Sequence, residues 1–185
     1  MNIRFLGLAT AGTLLAACNV SVTPVGGGPS STLQLKAISS YTSQYSLQNA
    51  AQDQNGNVLS AGTSIICDNL STQLQVGVTW SGDLQQIGIQ FKGLKTGAVS
   101  SARVFGDKFG APDYSGSGVA TITINPGLAP LKVSTGLSAQ SITVTPVSQV
   151  NVKGYTYVQA IGLDSSGNLS NLVSSVTAIP VADCY

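Results

Sequence analysis

The sequence predicts an all-β domain, an antiparallel sandwich or a barrel. Three observations predict it. Short runs rich in Thr, Val, Ile, Ser and Gln are separated by Gly, Asn, Asp or Pro along the whole chain after residue 31. Several of these runs alternate apolar and polar residues, as a half-buried strand does. No stretch after Cys18 carries a 3.6-residue apolar period with helix caps.

The expected strands, in order, are Leu33–Ile38, Tyr45–Gln52, Thr63–Cys67, Leu74–Trp80, Gln86–Phe91, Ala102–Phe105, Val119–Asn125, Ser141–Val147, Tyr155–Leu163 and Val173–Ile179. Alternation is strongest where Leu74, Val76, Val78 and Trp80 share one face, and it predicts that face as core. Ile122 and Ile124 alternate with Thr121 and Thr123. Ile142, Val144 and Pro146 alternate with Thr143 and Thr145, which predicts a further inward-facing row. With 43% apolar residues, one domain spanning 32–185 has enough material for a core.

Composition narrows the chemistry. The chain has 185 residues, no His, and seven acidic residues that are all Asp. A histidine triad, a histidine-ligated metal and a glutamate base are therefore excluded. Charged residues are only 8% of the chain, against about 25% in an average soluble protein. The formal net charge is +1, and Lys and Arg never cluster beyond pairs such as Lys92 and Lys95, so no nucleic-acid partner is expected. A surface of Ser, Thr, Asn and Gln suits close packing against a neighbour or a polysaccharide, since neutral surfaces associate readily.

Residues 1–17 read as a signal peptide. Arg4 supplies the positive charge, an apolar stretch runs from Phe5 to Leu15, and Ala16-Ala17 ends it. That stretch is shorter than the roughly 20 apolar residues a bilayer requires. Leu15-Ala16-Ala17-Cys18 resembles the lipobox of bacterial lipoproteins. The resemblance implies cleavage before Cys18, a diacylglyceryl group on its sulfur and an acylated amino terminus, with no other cofactor. Acyl chains contribute about 0.8 kcal/mol per buried CH₂, so several make a stable anchor. Asn19 follows, and not the Asp associated with inner-membrane retention, which implies the outer membrane or cell surface. Residues 18–31 are then the lipidated Cys and its Gly/Pro/Ser-rich tether, with Gly26-Gly27-Gly28-Pro29 at its centre.

With Cys18 carrying lipid, Cys67 and Cys184 remain, and an exported pair is expected to form a disulfide. It would pin the C-terminus to an early strand and contribute about 4–5 kcal/mol in the chain-entropy account.

Two turns echo each other: Asp53-Gln54-Asn55-Gly56-Asn57-Val58 and Asp164-Ser165-Ser166-Gly167-Asn168-Leu169. Both read D-x-x-G-N followed by an aliphatic residue. Asp can accept bonds from nearby backbone N–H groups and Gly supplies positive φ, so a hairpin turn accounts for the pattern. Calcium is the alternative, through Asp53, Asn55 and Asp164. An EF-type loop, however, places Gly sixth and Glu twelfth. The run from Tyr155 through Ser170 resembles the late hairpin of bacterial Ig-like and fibronectin type III-like modules. Ala51–Gly62 is similar to a segment of bacterial Ig-like repeats. The resemblance covers two short stretches and implies an Ig-like or fibronectin-like β-sandwich with extra strands or loops. Trp80 is the candidate core tryptophan. The two cysteines lack the spacing of the antibody disulfide.

The candidate binding loop runs from Phe105 to Gly118, with Phe105, Asp107, Phe109, Asp113 and Tyr114 as its chemistry-bearing residues. Aromatics on a Gly-rich loop can stack on a sugar ring or dock into a partner. They can equally fold back on the core. Asp107 and Asp113 could pair for glycoside hydrolysis, but glycine-rich backbone is a poor catalytic mount. Tyr41 and Tyr45 form a second aromatic pair at a strand edge. The expectation is therefore a non-enzymatic, lipid-anchored envelope protein with a structural or assembly role against another envelope protein. A carbohydrate- or surface-ligand-binding module is the alternative.

Overall fold

The computed structural model describes residues 32–97, 99, 103–106, 116–127, 133–135 and 141–185. Among them every regular element is a strand. In chain order these are β1 Gln34–Ser43, β2 Tyr45–Leu47, β3 Ala51–Gln52, β4 Val58–Leu59, β5 Ser64–Cys67, β6 Thr72–Ser81 and β7 Gln86–Gly93. There follow β8 Arg103–Gly106, β9 Gly116–Ile124, β10 Val133–Thr135, β11 Thr145–Val147, β12 Val150–Leu163, β13 Val173–Ser174 and β14 Ile179–Cys184.

One sheet has the order β1-β6-β9-β10. The other runs β11-β2-β5-β14-β12-β7-β8, with β13 added beside β12. A small hairpin, β3–β4, stands apart. Most pairs are antiparallel, but β2–β11 and β5–β14 are parallel. The architecture is all-β and sandwich-like, with mixed strand directions and more strands than the sequence pattern announces.

The main core lies between the two sheets. Leu74, Val76, Val78 and Trp80 of β6 are all buried, as their alternation requires. Ala120, Ile122 and Ile124 of β9 and Leu35 and Ile38 of β1 join them. Ile66, Ile87, Ile89, Phe91, Val158, Ala160 and Ile179 complete the same cluster from the other sheet. A second, smaller core forms around Leu47, Ile65, Val147 and the Cys67–Cys184 disulfide, with Ala51 and Leu59 of the β3–β4 hairpin packed on it. Adjacent residues Ile65 and Ile66 point to opposite sides of β5 and serve different cores.

Three strand expectations change. The run Tyr45–Gln52 divides into β2 and β3, because the chain leaves the sheet after Leu47 to build the hairpin. Of Val173–Ile179 only Val173–Ser174 (β13) and Ile179 are strand, and from Ile179 β14 runs on to Cys184, beyond the expected bound. Buried Ser175 makes the break, donating its backbone N–H to the Val158 carbonyl and its hydroxyl to the Thr177 carbonyl. The row Ile142, Val144 and Pro146 does not face a core. Only Thr145–Val147 pairs, and Val147 is the buried residue. Thr145 donates to the Gln44 carbonyl and Gln48 donates to that of Val147, so the bonds to β2 run through residues 145 and 147. Pro146, which lacks an N–H, stands between them on the rim of the sheet, where proline is tolerated.

Two asparagines act as surrogate strands. The Asn171 amide donates to the Leu35 carbonyl and accepts from the Leu35 N–H, at 2.8 and 2.9 Å. Asn69 does the same to Cys184, at 2.9 and 2.8 Å. Each side-chain amide thus supplies both halves of a peptide pair at a strand terminus.

Gly82 and Gly116 are fixed by close approach. Gly82 has φ +92°, and a Cβ there would lie 1.6 Å from the Thr32 carbonyl oxygen. At Gly116 it would lie 2.6 Å from the Trp80 ring. Gly56 also has positive φ (+82°) but opens onto empty space. Gly56→Ala should therefore cost only the left-handed strain, about 1–2 kcal/mol, whereas Gly82→Ala should displace the entry of β1 and cost clearly more. Parallel urea denaturation of the two variants checks this ordering.

Candidate functional site

The sequence-predicted residues fall into three groups. Cys18, Asp107, Phe109, Asp113 and Tyr114 lie outside the described residues. Phe105 belongs to β8 and sits opposite Ile87. Asp53, Asn55, Asp164, Cys67 and Cys184 are placed in full.

Both D-x-x-G-N segments form the same turn. Asp53 Oδ1 accepts the backbone N–H groups of Asn55 and Asn57, both at 2.8 Å. Its Oδ2 accepts the Asn57 side-chain amide at 2.8 Å. Asp164 repeats this with Ser166, Asn168 and the Asn168 amide, at 2.9, 2.8 and 3.1 Å. Gly56 and Gly167 take positive φ of 82° and 81°. These contacts account for the motif as turn closure: the carboxylate replaces backbone acceptors where the chain reverses. The described residues hold no cluster of three or more acidic or cysteine side chains suited to a metal ion, and a cation at Asp53 would have to displace N–H donors.

Each turn is also tied to the body. Tyr155 on β12 donates its hydroxyl to Asp53 Oδ2 at 2.6 Å, fastening the β3–β4 hairpin to the large sheet. Asp83, between β6 and β7, accepts the Ser165 N–H at 3.2 Å and holds the second turn. The ionisation of these groups follows. The Tyr155 hydroxyl and the Asn57 amide hold the Asp53 carboxyl well below the usual carboxylate range. Burial, then the bond to Asp53, pushes Tyr155 up to about 12. Ser165 and Gln85 as donors lower Asp83.

Beside the β3–β4 hairpin, on the same second core, stands a lock. Cys67 and Cys184 are joined with Cα atoms 5.5 Å apart across 117 residues of sequence, and both are buried. Their neighbours Asp68 and Asp183 both bind Lys153 Nζ, at 2.9 and 2.7 Å. Asp183, then Asp68, holds the Lys153 ammonium above its ordinary range. Asn69 adds its two-point pair to Cys184, and Asp68 donates its N–H to the Ala182 carbonyl at 2.7 Å. The sequence marks the cysteines. It gives no signal for Lys153 or Asn69, whose roles need β12 and β14 to be neighbours.

Between the hairpin and this lock, Asp53, Asn55, Lys95, Lys153 and Tyr155 line a cleft of 20 Å³. That space is enough for one water molecule. Tyr41 and Tyr45 do not form one aromatic group: Tyr41 packs on the main core and bonds Thr177, while Tyr45 packs on the second core.

Thr32, where the tether joins the domain, lies against Gly82. The strand ends flanking the Phe105–Gly118 loop lie at this same end, Gly106 opposite Gln86 and Gly116 opposite Trp80.

Two outcomes are expected. Cys67→Ala with Cys184→Ala should lower the unfolding free energy by about 4–5 kcal/mol, read from the denaturation midpoint. A much smaller loss would mean that Asn69 and Lys153 hold the terminus unaided. Asp53 is depressed in the folded state, so its contribution is present above the unfolded value of about 3.9 and is lost as pH falls through the folded value. Tyr155→Phe should move the Asp53 titration, followed by carboxyl NMR, up toward the ordinary range and bring the acid loosening of the hairpin to higher pH.

No protein-family model, no curated protein and no solved structure matches this chain.

Proposed function

We propose that this chain is a lipid-anchored accessory protein of a bacterial cell envelope, held at the outer membrane or cell surface, whose domain packs against another envelope protein. The observation that carries the reading is the position of Cys18, directly after the small residues that end the apolar leader. The disulfide supports it, because such bonds persist in exported proteins and are rare in the cytosol. The scarcity of charge supports it too, since a neutral surface favours association over free diffusion.

The domain is read as an elaborated Ig-like or fibronectin-like sandwich. Its Tyr-rich strand β12 runs directly into a D-x-x-G-N turn, which is the feature that prompts the comparison. An anchor at Cys18 brings the Gly82 end, and with it the origin of the Phe105–Gly118 loop, nearest the lipid. The disulfide lock then stands away from it. This polarity favours partner packing over capture of a distant polysaccharide through Phe109 and Tyr114.

The test is intact mass of membrane-extracted protein, together with cross-linking in cells. Lipid mass on Cys18, its loss with release to the soluble fraction in Cys18→Ser, and one stoichiometric partner linked through Lys92, Lys95, Lys108 or Lys132 are the expected results. An unmodified Cys18 in membrane-extracted protein overturns the anchor. A lipidated protein recovered alone overturns the packing role and leaves surface-ligand binding.

A further inference from the structure

Asn55 precedes Gly56 at the tip of the β3–β4 hairpin, and nowhere else in the chain does Asn precede Gly. In that pair the side-chain amide is open to attack by the next backbone nitrogen, because glycine places no Cβ beside it. The other asparagines precede residues that carry a Cβ, and Asn125 precedes Pro126, which has no N–H. Asn55 and Gly56 are both exposed. A Cβ on Gly56 would meet nothing within 4 Å, so a cyclic imide has room to form there. The sister turn supplies the contrast. It has the same carboxylate bonds and the same positive-φ glycine, but Ser166 stands in the place of Asn55 and offers no carbonyl carbon. The folded turn holds the reaction back. The Gly56 N–H donates to the Asp53 carbonyl at 3.0 Å. Asp53 Oδ1 clamps the N–H groups on either side of it, those of Asn55 and Asn57, and Tyr155 fixes that carboxylate from β12. The Gly56 nitrogen is therefore released for attack only when the hairpin tip opens.

We propose that Asn55 is a self-modification site, a slow deamidation whose rate is set by the Tyr155–Asp53 bond and whose isoaspartyl product unfastens the β3–β4 hairpin. The Gly56 nitrogen gives up its proton to base and bonds to the Asn55 side-chain carbonyl carbon. The bond from that carbon to the amide nitrogen breaks, and ammonia leaves. Water then opens the cyclic imide. Opening at the side-chain carbonyl leaves aspartate. Opening at the backbone carbonyl leaves isoaspartate, whose main chain runs through the former side chain and gains one carbon. Nothing is oxidised or reduced. Either product places a new carboxylate in the cleft that Asn55 lines with Asp53, Lys95 and Lys153. Isoaspartate also lengthens the chain between the two N–H groups that Asp53 Oδ1 receives, so one carboxylate oxygen no longer fits both. The inference is independent of the lipid anchor and of any envelope partner.

The experiment ages the full, disulfide-bonded chain in neutral and in mildly alkaline buffer, with the same chain in urea as the open reference, and maps peptides from both turns by mass. Asn55 should convert to a mixture of aspartyl and isoaspartyl peptides, faster at the higher pH and fastest in urea, while the Asp164 turn stays unchanged. Tyr155→Phe should raise the folded-state rate about tenfold, the loss of one hydrogen bond to a charged group. Asn55→Ser, which copies the sister turn, should abolish the conversion and leave the fold intact. In the isoaspartyl product the Asp53 titration should move up. Asn55→Asp, which carries the charge without the added carbon, should move it less. An Asn55 that survives in the folded chain while the urea reference converts overturns the site. Equal rates in folded wild type and Tyr155→Phe overturn the control by Tyr155. An isoaspartyl product whose Asp53 titrates no higher than in Asn55→Asp overturns the unfastening.

Discussion

The contact between the two sheets governs the rest of the structure. One row on β6, Leu74, Val76, Val78 and Trp80, meets Ile87, Ile89 and Phe91 of β7 and Val158 and Ala160 of β12 in a single apolar layer. In a chain with so few charges, removal of these side chains from water is the main force holding the sheets together. Every other device keeps strands in register against that layer. Gly116 leaves room for the Trp80 ring, Gly82 lets β1 begin beside the β6–β7 connection, and Asn171 closes the open end of β1.

The second core answers a different problem. The final strand, β14, is inserted between β5 and β12, so the last residues of the chain occupy the middle of a sheet. A chain terminus frays unless it is held. Here it is held four ways: by the covalent bond at Cys184, the Asn69 amide pair, the Lys153 bridge to Asp183, and Ile65 and Val147 packed against the disulfide. The exposed ion pairs contribute least, since water and salt screen them. The disulfide contributes most, because it closes a loop spanning most of the domain.

The polar groups of the molecule have mainly structural employment. Asp53 and Asp164 replace backbone acceptors in two turns of the same design, and Tyr155 and Asp83 fasten those turns to the sheets. Among the described residues no buried side-chain nitrogen or oxygen is left without a hydrogen-bond partner.

The sequence by itself determined the all-β class, the inward rows of β6 and β9 and both D-x-x-G-N turns; the Cys67–Cys184 pairing followed from it only with Cys18 set aside for lipid. Those features are local: a period of two, and a glycine three positions after the Asp that opens each turn. Only the tertiary structure decided that β5 and β14 run parallel, that Val147 and not Val144 faces a core, and that Tyr155 reaches Asp53 across 102 residues. A strand's alternation says which residues share a face. It does not say which strand lies beside it, and every one of those contacts is made between neighbours that the chain brings together only on folding.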